Sequence, residues 1–153
     1  MKEKLTSKFV FISPHYDDAV GSCACLMNLL IREKYDVDIV TVFSQQYSGN
    51  KSELALDIIN LWGLEDGVIE RKIENQRACS YLHANDINLL FYDAIYRKNI
   101  YGGWLYNSFV ELFDKVNEQD NILLRMLFQK IRNKYIPHET FLFFPSAKGG
   151  HVD

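Results

Sequence analysis

Phe9-Val10-Phe11-Ile12-Ser13-Pro14-His15-Tyr16-Asp17-Asp18 runs from an unbroken β-prone apolar stretch, through a proline, into two adjacent acids. An apolar run without polar alternation is the pattern of a strand covered on both faces. Pro14 has no N–H to continue a ladder, so the strand ends there. Residues 17–34 then read as a helix, with acids in the first turn and Arg32 and Lys34 in the last, where the helix dipole favours each sign. The middle of this helix is apolar nearly all round, which predicts a well-buried element with Cys23 and Cys25 inside it.

The rest of the chain repeats the strand-then-helix rhythm. Residues 37–43 form a second strand, followed by a polar loop over residues 44–50 and a helix over residues 52–62. Asp66 is placed to cap a helix reaching Leu82, with Ile69, Ile73, Ala78, Tyr81 and Leu82 as its inner set. A third strand is expected over residues 87–92 and an irregular loop over residues 93–104. Leu105, Phe109, Leu112, Phe113 and Val116 then recur at helical spacing. A further helix over residues 120–135 and a strand over residues 140–144, closed by Pro145, complete the pattern. Alternation of this kind implies an α/β fold, a Rossmann-like parallel sheet with helices on both faces.

With 153 residues, the chain has room for one domain, residues 1–153. Hydrophobic residues make up 48% and charged residues 24%, which excludes a disordered tail. A net charge of −3 argues against a nucleic-acid partner, which would need a basic face. The three cysteines do not make a disulfide framework and fit reduced thiols in the cytoplasm. The N-terminus lacks the apolar core of a signal peptide, and the most apolar stretch, residues 19–31, is too short to cross a bilayer.

In parallel sheets, ligands bind beyond the carboxyl ends of the strands. There the sequence gathers histidines and carboxylates: His15-Tyr16-Asp17-Asp18 after the first strand, Asp93 after the third, and Gly149-Gly150-His151-Val152-Asp153 after the fourth. An imidazole and a carboxylate three residues apart can close on one metal, and Zn²⁺ takes such ligands. Asp17, pointing elsewhere, is then free to accept a proton from water. The plainer reading has Asp17 and Asp18 capping a helix and His15 in solvent. His83 and His138 lack acidic partners and read as ordinary surface or capping residues.

Ser13-Pro14-His15-Tyr16-Asp17-Asp18-Ala19-Val20 resembles the opening Pro/Ala-His-x-Asp-Asp motif of the PIG-L/LmbE-like de-N-acetylases, in the subgroup with Asp-Asp-Ala-Val. Gly149-Gly150-His151-Val152-Asp153 is similar to that family's Gly-His-x-Asp-His segment. Arg71-Lys72-Ile73-Glu74 resembles its Arg-x-x-Glu helix, and Asp93-Ala94-Ile95-Tyr96-Arg97 has a counterpart after the third strand. The resemblance implies a Zn²⁺-dependent hydrolase, or one using another divalent metal, that removes acetyl groups from N-acetylglucosamine-type conjugates. His15 and Asp18 would be metal ligands, Asp17 the general base, and His151 the group that stabilises the oxyanion. Arg71 would meet the substrate, and Tyr96, Arg97 and Trp104 would line it.

The family's third metal ligand is a histidine three residues after the one matched by His151, one position past Asp153. The chain is therefore expected to be the N-terminal part of such a domain, incomplete at its C-terminus, a weak zinc binder by itself and prone to form homo-oligomers. Two alternatives stand beside the hydrolase. One is an inactive remnant of it. The other is a Mg²⁺-dependent phospho-receiver module using Asp17, Asp18, Asp93 and Lys148.

Overall fold

The computed structural model describes residues 7–65, 67–135 and 139–153. The expectations for residues 1–6, the cap Asp66 and the histidine at 138 lie outside the described residues. Four strands, β1 (Lys8–Ser13), β2 (Asp36–Thr41), β3 (Asn85–Asn88) and β4 (Thr140–Phe143), form one sheet in the order β3-β2-β1-β4. All three pairings are parallel. Helices α1 (Asp18–Arg32), α2 (Glu53–Trp62), α3 (Val68–Leu82) and α4 (Asn121–Tyr135) supply the crossovers.

Strand periodicity sorts the core onto two faces, because successive side chains point to opposite sides. Phe11, Val37 and Ile39 pack with Met27 of α1 and Cys79 of α3. Val10, Ile12, Val40 and Val42 pack with Ile131 and Tyr135 of α4 on the other side. A third cluster lies beyond the sheet's carboxyl edge, where Leu54, Ala55, Ile58 and Ile59 of α2 meet Ile95, Tyr106 and Leu112. Helix α2 starts as its sequence predicts, with the Ser52 side chain accepting from Ala55 N–H at 3.0 Å.

From β1 the chain builds outward to β2 and β3, then crosses back to lay β4 on the free side of β1. The direction of winding therefore reverses between β1 and β4. A crevice opens at the carboxyl ends of strands flanking such a reversal, because their two following loops diverge. Those loops carry His15 and His151.

Several expectations change. Residues 105–116 are not a helix but a loop containing a 3₁₀ turn at Glu111–Phe113. Their backbone groups bond elsewhere: Leu105 N–H to Arg97 carbonyl, Asn107 N–H to the Glu111 side chain, and Leu112 carbonyl to Val152 N–H. Tertiary partners thus outweigh the helical spacing. Strand β3 comes earlier than residues 87–92 because Leu90 takes a left-handed φ of 61°. Beyond it, Leu89 and Phe91 still donate to the Thr41 and Val42 carbonyls.

Helix α1 is not buried all round. Its inner stripe runs through Ala19, Cys23 and Met27, while Leu29 is 57% exposed. Cys23 is accordingly half-buried, and Cys25, two positions further round the helix, is exposed rather than buried. Helix α3 turns Asn75 and Cys79 inward, so Ile69, Ile73 and Tyr81 face outward, contrary to expectation. The Asn75 Nδ2 donates there to Asp86 at 3.1 Å.

Candidate active site

Ser13 shapes the turn that presents His15. Its hydroxyl donates to the His15 carbonyl at 2.5 Å and accepts from Ala19 N–H at 2.9 Å, doing the capping work left undone by Asp17. Both acids at the helix start are thereby released for other contacts. Asp18 Oδ2 accepts from the His15 backbone N–H at 2.7 Å and lies 3.3 Å from His15 Nδ1.

The opposite edge of the His15 ring meets two more carboxylates. Nε2 lies 3.3 Å from Asp93 Oδ2 and 3.1 Å from Asp153 Oδ2. Burial works against a charged imidazole, but hydrogen bonds to Asp18 and Asp93, with their charges, outweigh it and lift the His15 pKa to about 9. Burial would likewise raise Asp18 and Asp93; His15 and nearby arginines hold both below the usual carboxylate range.

His151 stands beside this cluster, its ring centre 5.6 Å from that of His15. Gly150, with φ of 70°, takes the left-handed turn that brings it there. His151 Nδ1 accepts the Asp153 backbone N–H at 3.1 Å. Burial and the neighbouring His15 charge lower its pKa, so the ring is neutral with its proton on Nε2. This histidine can donate to a ligand in the crevice.

Asp17 stands at the rim, its side chain 74% exposed and ion-paired with Arg71. Arg71 lies 4.7 Å over the Trp62 ring. A cavity of about 750 Å³ joins these parts, with His15, Asp18, Asp93, His151 and Asp153 on one side. Trp62, Phe109, Phe113 and Phe144 contribute apolar walls.

Of the residues expected to act, His15, Asp18, His151 and Arg71 line this cavity, and Asp17 reaches it through Arg71. Tyr96, Arg97 and Trp104 are not among the described lining residues. Tyr96 is buried and stacked on Tyr47 at 5.2 Å, and Trp104 packs against the same tyrosine at 5.8 Å. Arg97, 7% exposed, is ion-paired with Asp120 and Asp153. These side chains are held by aromatic packing and ion pairs, apart from the described lining of this cavity. Asp153, expected at this edge from its place two positions after His151 but given no role of its own, joins His15 at the cavity. Trp62 was missed because a tryptophan at a helix end reads as packing.

Two donor sets suit a divalent cation. The first is His15 Nδ1 with Asp18 Oδ2. Two ligands at about 2.0–2.2 Å from one tetrahedral ion lie about 3.4 Å apart, close to the spacing seen. Carboxylates on the far ring nitrogen complete the arrangement that orients a metal-binding histidine. The second set is His15, His151 and Asp153, whose donor atoms lie within 4.8 Å of one another. In that set Asp153 is already engaged by Arg97 and the Ala94 N–H, and His151 Nδ1 by a backbone N–H, so the first set fits better.

Comparison with known proteins agrees with the geometry. The chain is 31% identical over 160 residues to 2'-N-acetylparomamine deacetylase of Niallia circulans, covering 95% of this chain and 58% of that one. It superimposes with a TM-score of 0.83 and 27% identity on the deacetylase–teicoplanin complex of teicoplanin biosynthesis, covering 95% of this chain and 60% of that one. The zinc inhibited form of teicoplanin deacetylase gives a TM-score of 0.82 and 26% identity over 95% of this chain and 58% of that one. The chain thus spans under two thirds of the length of these relatives. The family model of PIG-L, GlcNAc-PI de-N-acetylase, matches residues 10–153. With that match, the two motifs at the sheet reversal and the shared fold, the chain belongs to the PIG-L family.

Proposed function

We propose that this chain forms part of the catalytic domain of a divalent-metal-dependent N-deacetylase acting on amino-sugar conjugates. The observation that carries the reading is the 3.3 Å approach of His15 Nδ1 to Asp18 Oδ2 at the mouth of the crevice, with a neutral His151 beside it. Membership of the PIG-L family supports it, as do relatives that are deacetylases of 2'-N-acetylparomamine and of teicoplanin biosynthesis. Family membership also removes the phospho-receiver alternative.

His15 and Asp18 would hold the ion, Zn²⁺ or another divalent metal. Bound there, it would supply Lewis acidity, making water more acidic and a carbonyl more electrophilic. The residues of the chain account for the remaining steps. Asp17, held by Arg71, takes a proton from water as its oxygen bonds to the acetamide carbon. Charge that gathers on the carbonyl oxygen meets the His151 Nε2–H. The proton passes to the amide nitrogen as the C–N bond breaks, leaving acetate and a free amine. Arg71 and Trp62 at the rim are placed to meet the sugar conjugate.

Among the described residues no helix is long and apolar enough to cross a membrane. All three cysteines are free. The test is acetate release from N-acetylglucosamine conjugates and 2'-N-acetylparomamine by metal-stripped protein reloaded with Zn²⁺, Co²⁺ or Mn²⁺. Turnover restored by an ion and lost in His15→Ala is expected. Equal turnover with and without metal would refute the metal-dependent reading.

A further inference from the structure

A buried ionic chain runs back from the crevice wall at Asp153, and the proposed reaction gives its inner members no part. Arg97 and Asp120 are 7% and 4% exposed and ion-paired. Tyr106 donates its hydroxyl to the same Asp120 oxygen at 2.7 Å and accepts Asn117 N–H at 3.1 Å. The Arg97 guanidinium lies 4.9 Å from the Phe43 ring, with Nε donating to the Tyr92 carbonyl at 3.1 Å. It is also ion-paired with the Asp153 carboxylate, itself fully buried. Asp153 uses its other oxygen for Ala94 N–H and His15 Nε2, both at 3.1 Å.

Burying an arginine and two carboxylates is a poor way to gain stability, because desolvation offsets most of the attraction and apolar packing would serve as well. Direction is what such a chain supplies. Each member has one orientation that satisfies its neighbours on both sides, and the series ends on one edge of one imidazole. We propose that Asp120, seated by Tyr106, is a positioning residue that acts through Arg97 and Asp153 to fix the ring plane of His15.

The inference rests on the proposed function only in making that ring an ion ligand. Without Asp120, Arg97 has a single carboxylate partner left and is free to draw Asp153 away from His15. The His15 Nε2–H then loses one of its two acceptors. Groups standing behind a metal-bound histidine in this way typically account for about 10–100-fold in metal affinity or activity.

The test is imidazole nitrogen NMR on metal-free protein, with the His15 signal assigned by its loss in His15→Gln. Wild type is compared with Asp120→Asn, which preserves shape, and with Tyr106→Phe, which removes one hydroxyl. The expected result is a shifted His15 Nε2–H resonance with faster solvent exchange in Asp120→Asn, and a smaller change in Tyr106→Phe, each with a cooperative melt. Co²⁺ affinity should fall by about 10–100-fold in Asp120→Asn. An unchanged His15 resonance in a folded Asp120→Asn protein overturns the proposal. If that variant does not fold, Tyr106→Phe decides by the same criterion. Wild type that binds no ion would instead defeat the proposed function, while the metal-free spectra still judge the positioning chain.

Discussion

Replacing His151 by alanine separates two arrangements of the same residues. His151 Nδ1 already accepts a backbone hydrogen bond from Asp153 at 3.1 Å, and burial keeps the ring neutral. The side chain therefore offers one N–H donor to the crevice and no lone pair for an ion. Loss of a single donor that faces a developing oxyanion costs about 2.7–4 kcal/mol of transition-state stabilisation, or about 10²–10³ in kcat. KM should move little, because the apolar walls contributed by Trp62, Phe109 and Phe144 stay in place. The ion should also stay, since His15 and Asp18 are intact. Steady-state acetate release together with elemental analysis after gel filtration reads all three quantities. If His151→Ala releases the ion, His151 is a ligand, and the set made with His15 and Asp153 replaces the one argued above.

Further outcomes follow from neighbouring residues. Asp18→Asn should weaken ion binding, because a neutral amide replaces an anionic ligand, whereas Asp17→Asn should keep the ion and lose turnover, because an amide cannot take a proton; metal content and rate for both variants decide this, and the reverse result exchanges the two roles. Burial, then the charge of Asp86, push the Cys79 thiol up to about 11, so at pH 8 it remains a buried, unreactive thiol. A maleimide should therefore modify exposed Cys25 first and Cys79 only after unfolding, and mass mapping of Cys79 modification at the Cys25 rate would contradict this. Phe11 is 1% exposed and stacks on Phe143 at 4.5 Å, so Phe11→Ala should cost about 3–5 kcal/mol in urea unfolding. A loss below about 1 kcal/mol would mean that β1 and β4 are not packed as described.

Strand β1 and the start of α1 were legible because one local rule governs each: an apolar run stopped by proline, then acids at a helix N-terminus. The meeting of His15 with His151 was legible from the rule that loops following parallel strands share an edge. The 105–116 segment was not, since its helical spacing is real but its backbone bonds go to Arg97 and Val152. Such partners are distant in sequence and carry no local signature. Arg97 illustrates the same limit at the site. Its position after the third strand suggested an exposed loop, while Asp120 and Asp153, 23 and 56 positions further on, draw it inside. The inner face of α3 was misread for a different reason: a buried asparagine looks unfavourable until its partner Asp86 is known.

The contact between His15 and Asp153 joins positions 138 residues apart. Closing so long a loop for one hydrogen bond would be unfavourable, although the entropy cost grows only with the logarithm of loop length. It is the register of β4 along β1, from Lys8 opposite Thr140 to Phe11 opposite Phe143, that brings the two ends together beforehand. The crevice therefore has no existence apart from that edge strand. Any opening that peels β4 away also separates His151 and Asp153 from His15, leaving the half of the site on α1 without its opposite wall. Amide exchange in β4 should then set a ceiling on how often the site is intact, and a ligand that bridges both walls would slow that exchange in proportion to its occupancy.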